Sequence, residues 1–184
     1  MSDEMIIELC SPTLAGIKTG NLFSCECEDP DQLLSEVRRY NSMFARKGIC
    51  MLVLSVKKRA LIYLFRPDRL KKDLADSEAA EILRARGYRE EVLGKQINTL
   101  KKRLRESDEF PHEIGLFLGY PPGDVRCFIE EKARNYQLVG CWKAYGNVEE
   151  ARKKFNQYKV CKDSYVKHFA NGMSLRELTV QQTE

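Results

Sequence analysis

The sequence predicts one helix-rich α+β domain with a small, mainly antiparallel sheet centred on a hairpin at 49–56 and 60–65. Three observations predict it. Two short apolar runs flank the basic tripeptide Lys57-Lys58-Arg59, the pattern of a β-hairpin. From 67 to 107 the apolar residues recur at helical spacing. A further helical stretch begins at Asn147-Val148-Glu149-Glu150, which resembles a capping box. The chain has 184 residues, 43% hydrophobic and 32% charged, enough for one globular core. We therefore expect a single domain over 1–184, with a disordered tail from about 179.

Residues 2–10 read as a short helix, and 14–27 as irregular or extended chain punctuated by Pro12, Gly16 and Gly20. Asp29-Pro30-Asp31 opens the next helix, because proline at the first helical position loses no bond. Leu33, Leu34, Val37, Tyr40, Met43 and Phe44 line its apolar face, and Gly48 ends it. Both runs of the hairpin are apolar at adjacent positions, so cover on both faces is expected.

Pro67-Asp68 starts one helix, and Ser77-Glu78 starts another that ends near Gly87. A third spans about 90–105, with Val92, Leu93, Ile97, Leu100 and Leu104 inward. Pro111-His112-Glu113 then begins an apolar helix that Gly119-Tyr120-Pro121-Pro122-Gly123 closes. The following helix is expected from Pro122 to about Tyr136, with Val125, Phe128, Ile129 and Ala133 inward. Residues 138–145 read as a short strand. The helix from 147 should reach about Phe169, with Glu149–Lys153 and Glu150–Lys154 as supporting pairs and Asn171-Gly172 as its stop. Ser174 to Glu177 suits one more short turn.

Composition narrows the function. The 31 basic and 27 acidic residues leave a net charge of +4, which permits an anionic ligand without demanding one. The N-terminus lacks a basic stretch followed by an apolar one, and the longest apolar run is far too short to span a bilayer. A cytoplasmic protein with no membrane partner is expected. Its seven cysteines are then expected to be free thiols, and their odd number fits poorly with a closed disulfide framework.

Three segments stand out: Ser11-Pro12-Thr13-Leu14-Ala15-Gly16-Ile17-Lys18, the run from Phe110 to Pro121, and Gly140-Cys141-Trp142-Lys143-Ala144-Tyr145. In order and spacing they resemble a bacterial family, domain of unknown function 3793, associated with anaerobic Gram-positive bacteria. The resemblance covers nearly the whole chain. It implies a bacterial, intracellular, free-standing domain and carries no activity, cofactor or catalytic residue with it. Ser11 stands where the family usually has Ala, and Ala144 where it usually has Val.

Candidate site residues come from these segments. At a helix N-terminus His112 is held neutral, fit to polarise a carbonyl or act as a base; the plain alternative is a histidine hydrogen-bonded in the core. Glu113, at the third helical position, should reach back as in a capping box. On an extended segment Lys143 and Tyr145 share one face and Trp142 takes the other, so Lys143 either meets an anion or snorkels from a sheet edge. Lys18 and Thr13, beside Gly16 and Gly20, form a second possible anion contact. Cys25-Glu26-Cys27 lacks familiar metal-ligand spacing, so no metal site is assigned, and no cofactor can be named.

The leading expectation is a cytosolic domain that binds a small, anionic ligand, a cofactor or a protein partner through Thr13, Lys18, His112, Glu113, Lys143 and Tyr145. One alternative is an enzyme with His112 as acid/base. Another is a DNA-binding regulator with a degenerate helix-turn-helix at 113–130. Glu130 and Glu131 on its second helix argue against nucleic acid. The oligomeric state is left open.

Overall fold

The computed structural model describes residues 1–107 and 109–181. In chain order the elements are α1 (Asp3–Leu14), β1 (Gly20–Cys25), α2 (Pro30–Phe44), β2 (Cys50–Val56), β3 (Ala60–Phe65), α3 (Pro67–Leu74), α4 (Ser77–Ala85), α5 (Leu93–Glu106), α6 (Ile114–Phe117), α7 (Pro122–Glu130), β4 (Leu138–Val139), β5 (Lys143–Ala144), α8 (Val148–Ala170) and α9 (Leu175–Leu178). The class is α+β, as expected. The chain divides into two compact units. One comprises Met1–Asp68 together with the chain from Tyr158 onward, the other Arg69–Gln157.

The first unit holds the sheet, in the order β1-β3-β2, with both pairings antiparallel. The hairpin lies where the two apolar runs place it, and a bulge at Leu54 shifts the register between Val53 and Ser55. As the central strand, β3 is buried on both faces: Ile62 and Leu64 on one, Tyr63 stacked on Phe65 on the other. Asp29 caps α2 by accepting the N–H groups of Asp31 and Gln32. Val37, Tyr40 and Phe44 then pack with Ile6, Ile7, Cys10 and Leu14 of α1.

Two expectations here are corrected. Helix α1 does not stop at residue 10 but runs through Pro12 to Leu14. A proline in the last turn forfeits only one helical bond, and the Ser11 hydroxyl adds a bond to the Ile7 carbonyl. The Pro12 carbonyl then accepts the N–H groups of both Ile17 and Lys18 at 3.0 Å, which folds the following loop back on the helix. The tail does not fray from 179. Thr179 is buried, and the Val180 N–H donates to the Leu14 carbonyl at 3.0 Å. Residues 182–184 of that expected tail lie outside the described residues.

Arg66 ties these pieces together. It is 2% exposed. Its Nε donates to the Thr13 carbonyl at 2.8 Å, Nη2 to the carbonyls of Leu14 and Val180 at 2.8 Å each, and Nη1 to that of Lys47 at 3.1 Å. The planar fork of donors suits carbonyls that arrive from several directions.

In the second unit α4 starts on Asp76, whose carboxylate accepts the N–H groups of Glu78 and Ala79. Helix α5 starts at Leu93, and Val92, expected inward, is 60% exposed at the cap position. Ile97, Leu100 and Leu104 are buried as their spacing requires. The apolar helix expected from Pro111 is only the four-residue α6, preceded by tight turns at 111–113. Helix α7 ends at Glu130, not near Tyr136, because Lys132, Ala133 and Asn135 take left-handed φ values of 50°, 60° and 56°. The strand expected over 138–145 is a two-stranded ribbon, with β4 antiparallel to β5. Helix α8 opens on Asn147, carries both expected ion pairs, and stops at Gly172 with φ of +96°.

Candidate functional site

The polar residues of the three segments take different places in the fold. Glu113 is 1% exposed and makes no capping box. Its carboxylate instead accepts the Tyr88 hydroxyl at 3.1 Å and the Arg103 Nε. Burial, the Glu113 charge and this bond together push the Tyr88 phenol far above its ordinary range. Gly115 is needed where α6 crosses α7, since a Cβ there would sit 2.9 Å from a Val125 methyl.

Asp124, in the first turn of α7, organises the third segment. Its buried carboxylate accepts the Trp142 Nε1–H at 2.7 Å and the backbone N–H groups of Tyr145 and Gly146 at 2.8 and 3.0 Å. Trp142 is thereby fixed with one face on Tyr120 and an edge contact with Phe155. As expected, Trp142 is buried. The strand geometry behind that expectation is replaced by a turn at 140–142.

A cleft of about 710 Å³ opens beside this cluster, a volume within the range of small-molecule sites. The starts of α7 and α8, the 119–121 turn and the end of α3 wall it. Both helices present first-turn N–H groups without helical partners at these ends. Lys72 and Lys154 stand at its edge, and Tyr145 lines it. Among the described residues the Tyr145 hydroxyl is the buried side-chain oxygen with no hydrogen-bond partner. Burial and then the neighbouring Cys127 raise its pKa. Four of the described acids line the cleft: Asp124 is occupied as above, Asp76 caps α4, Glu150 pairs with Lys154, and Asp73 stands beside Lys72 at the end of α3.

The remaining candidates lie elsewhere. His112 is exposed and turns its ring edge to Phe128, 5.0 Å between centroids. Without a full helix after it, the dipole argument for a tuned imidazole does not apply. Lys143 donates to the Ala133 carbonyl at 2.9 Å and lies 4.3 Å from the Tyr136 ring centre. His112 and Lys143 thus meet around Phe128, apart from Tyr145 in the cleft. In the other unit Lys18 is buried with its ammonium 6.0 Å from the Tyr158 ring centre, and the Thr13 hydroxyl donates to Asn21 Oδ1 at 2.6 Å.

A family model described as a protein of unknown function (DUF3793) matches residues 6–179. The chain belongs to this family. No curated protein and no solved structure is significantly similar to it. In this DUF3793 chain the first helix of the proposed helix-turn-helix is a single turn, and Arg126 on the second is paired with Glu78 at 3.0 Å and Glu81 at 2.7 Å. Among the described residues no helix is long and apolar enough to cross a membrane, and no group of three or more His, Cys, Asp or Glu is placed to hold a metal ion.

The cysteines differ sharply in access. Cys141 is exposed, whereas Cys10 is fully buried and its thiol is pushed up to about 12 by burial. Iodoacetamide at neutral pH should modify Cys141 first and Cys10 last in the folded protein. After denaturation without reductant, all seven thiols should react. Mass spectrometry of the timed digest reads both outcomes, and early labelling of Cys10 would contradict the packing of α1.

Proposed function

We propose that the Arg69–Gln157 unit binds a small anionic ligand in the cleft beside Trp142. The observation that carries this reading is the Tyr145 hydroxyl, buried at the cleft without a partner. An unpaired buried hydroxyl costs about 1–3 kcal/mol, and a ligand acceptor would recover it once the Tyr145 ring turns the hydroxyl toward the cleft. Two helix N-termini and Lys72 at the same cleft favour negative charge, while Lys154 and Glu150 offset each other. Asp76 and Asp124 spend their carboxylates on N–H groups, which lessens their opposition to it, and Asp73 is the remaining acid in the lining.

Tyr145→Phe tests this. The variant should be as stable as the parent, or more stable by up to about 1 kcal/mol, since it loses no bond. Its affinity for phosphorylated or carboxylated metabolites found by thermal-shift screening should fall by about 3- to 10-fold. Equal affinity in both proteins would remove Tyr145 from the site.

A further inference from the structure

A second cavity, of about 240 Å³, lies in the same unit against the end of α3, α4 and the start of α5. It is smaller than drug-sized pockets, so its occupant must be small. The floor is aliphatic, with Leu74 and Leu83 buried beside Ala80. Gln96 stands in the wall. It is only 7% exposed, and its amide has no hydrogen-bond partner among the described residues. The amide N and O are not sealed from solvent, so in the wall of the cavity they offer a donor and an acceptor to whatever enters.

The rim carries both signs of charge. Arg84 and Arg89 line it on one count, Glu90 and Glu91 on the other. Glu90 already pairs with Lys95, whereas Glu91 has no ion-pair partner among the described residues. A simple anion would meet the carboxylates, and a simple cation the guanidinium groups. A small zwitterion with an aliphatic body satisfies both, and its two charged ends match the donor and acceptor of the Gln96 amide.

We propose that this cavity binds a free aliphatic amino acid. The carboxylate takes the Gln96 amide N–H and the arginines, the ammonium donates to the Gln96 oxygen and Glu91, and the side chain rests on Leu74 and Leu83. The site is separate from the cleft beside Trp142, and its success or failure is independent of that reading.

Calorimetric titration of the full chain with L-alanine, L-valine and L-leucine tests the proposal. Isovalerate and isobutylamine, each lacking one charge of valine, serve as controls. At least one amino acid should bind saturably, and both controls should bind at least tenfold more weakly. Gln96→Met should weaken the amino acid about tenfold, while Tyr145→Phe leaves it unchanged. Glu91→Gln, on the exposed rim where folding is not at stake, should weaken the amino acid but not isovalerate. The proposal is overturned if no amino acid binds, if the controls bind as tightly, if neither Gln96→Met nor Glu91→Gln weakens binding, or if Tyr145→Phe abolishes it.

Discussion

Arg66→Met should destabilise the unit built on the three-stranded sheet by roughly 3–5 kcal/mol. The guanidinium supplies donors to four carbonyls drawn from the end of α1, the turn after α2 and the C-terminal segment. Leu14 would retain the Val180 N–H, but Thr13, Lys47 and Val180 would lose the donor seen here. Methionine fills much of the space and repairs none of this. Arg66→Lys should recover only part of the loss, because an ammonium lacks the planar fork that reaches separate carbonyls. Hydrogen exchange at the α1 and β3 amides, with urea denaturation followed by circular dichroism, measures the change. A loss under about 1 kcal/mol would show that water replaces the guanidinium.

Asp124→Ala should cost the other unit about 3–4 kcal/mol, since it strands the Trp142 indole N–H and two backbone N–H groups. Asp124→Asn should fall between. Its amide keeps one oxygen for the Tyr145 and Gly146 amides but can turn an NH₂ toward the indole N–H, donor against donor. The chain has a single tryptophan, Trp142, so its fluorescence reports directly on this site. Emission should shift to the red in the folded Ala variant as the indole loosens from Tyr120 and Phe155. An unshifted spectrum with unchanged stability would mean the ribbon holds its place without Asp124.

The sequence made the regular elements legible where local chemistry and burial agree. The Asp29-Pro30 start of α2, the hairpin around Lys57-Lys58-Arg59 and the Asn147 start of α8 all lie where turn and cap residues put them. It misled where tertiary bonds override local signals. Pro12 looked like punctuation and proved part of a helix. The helical spacing of Val125, Phe128, Ile129 and Ala133 favoured a longer α7, yet Lys132 and Ala133 turn left-handed, which their residue types rarely do. Glu113 looked like a cap, but its partners, Tyr88 and Arg103, lie 25 and 10 residues away and leave no local trace.

The site was less legible for the same reason. Arg66 sits among the basic residues of 66–72, and nothing adjacent to it in sequence reveals that four carbonyls surround it. Asp124 draws no notice in the sequence, because its tie to Trp142 spans 18 residues. Of the expected site residues, Tyr145 lines the cleft, whereas Glu113 is bound into the fold and His112 and Lys143 gather around Phe128. A signal was present in the Trp-Lys-Ala-Tyr segment: a tryptophan that must be buried needs an acceptor for its N–H, and an acid nearby in the fold is the natural one.

The central claim is that the cleft beside Trp142 takes a small anionic ligand. Titration of isotope-labelled protein with anionic metabolites, followed by amide NMR, tests it most directly. The account predicts saturable shifts concentrated at Tyr120, Gly123 and Tyr145 to Asn147, with weaker binding in Tyr145→Phe. Shifts centred away from the cleft, or no saturable shift with any anion, would contradict it.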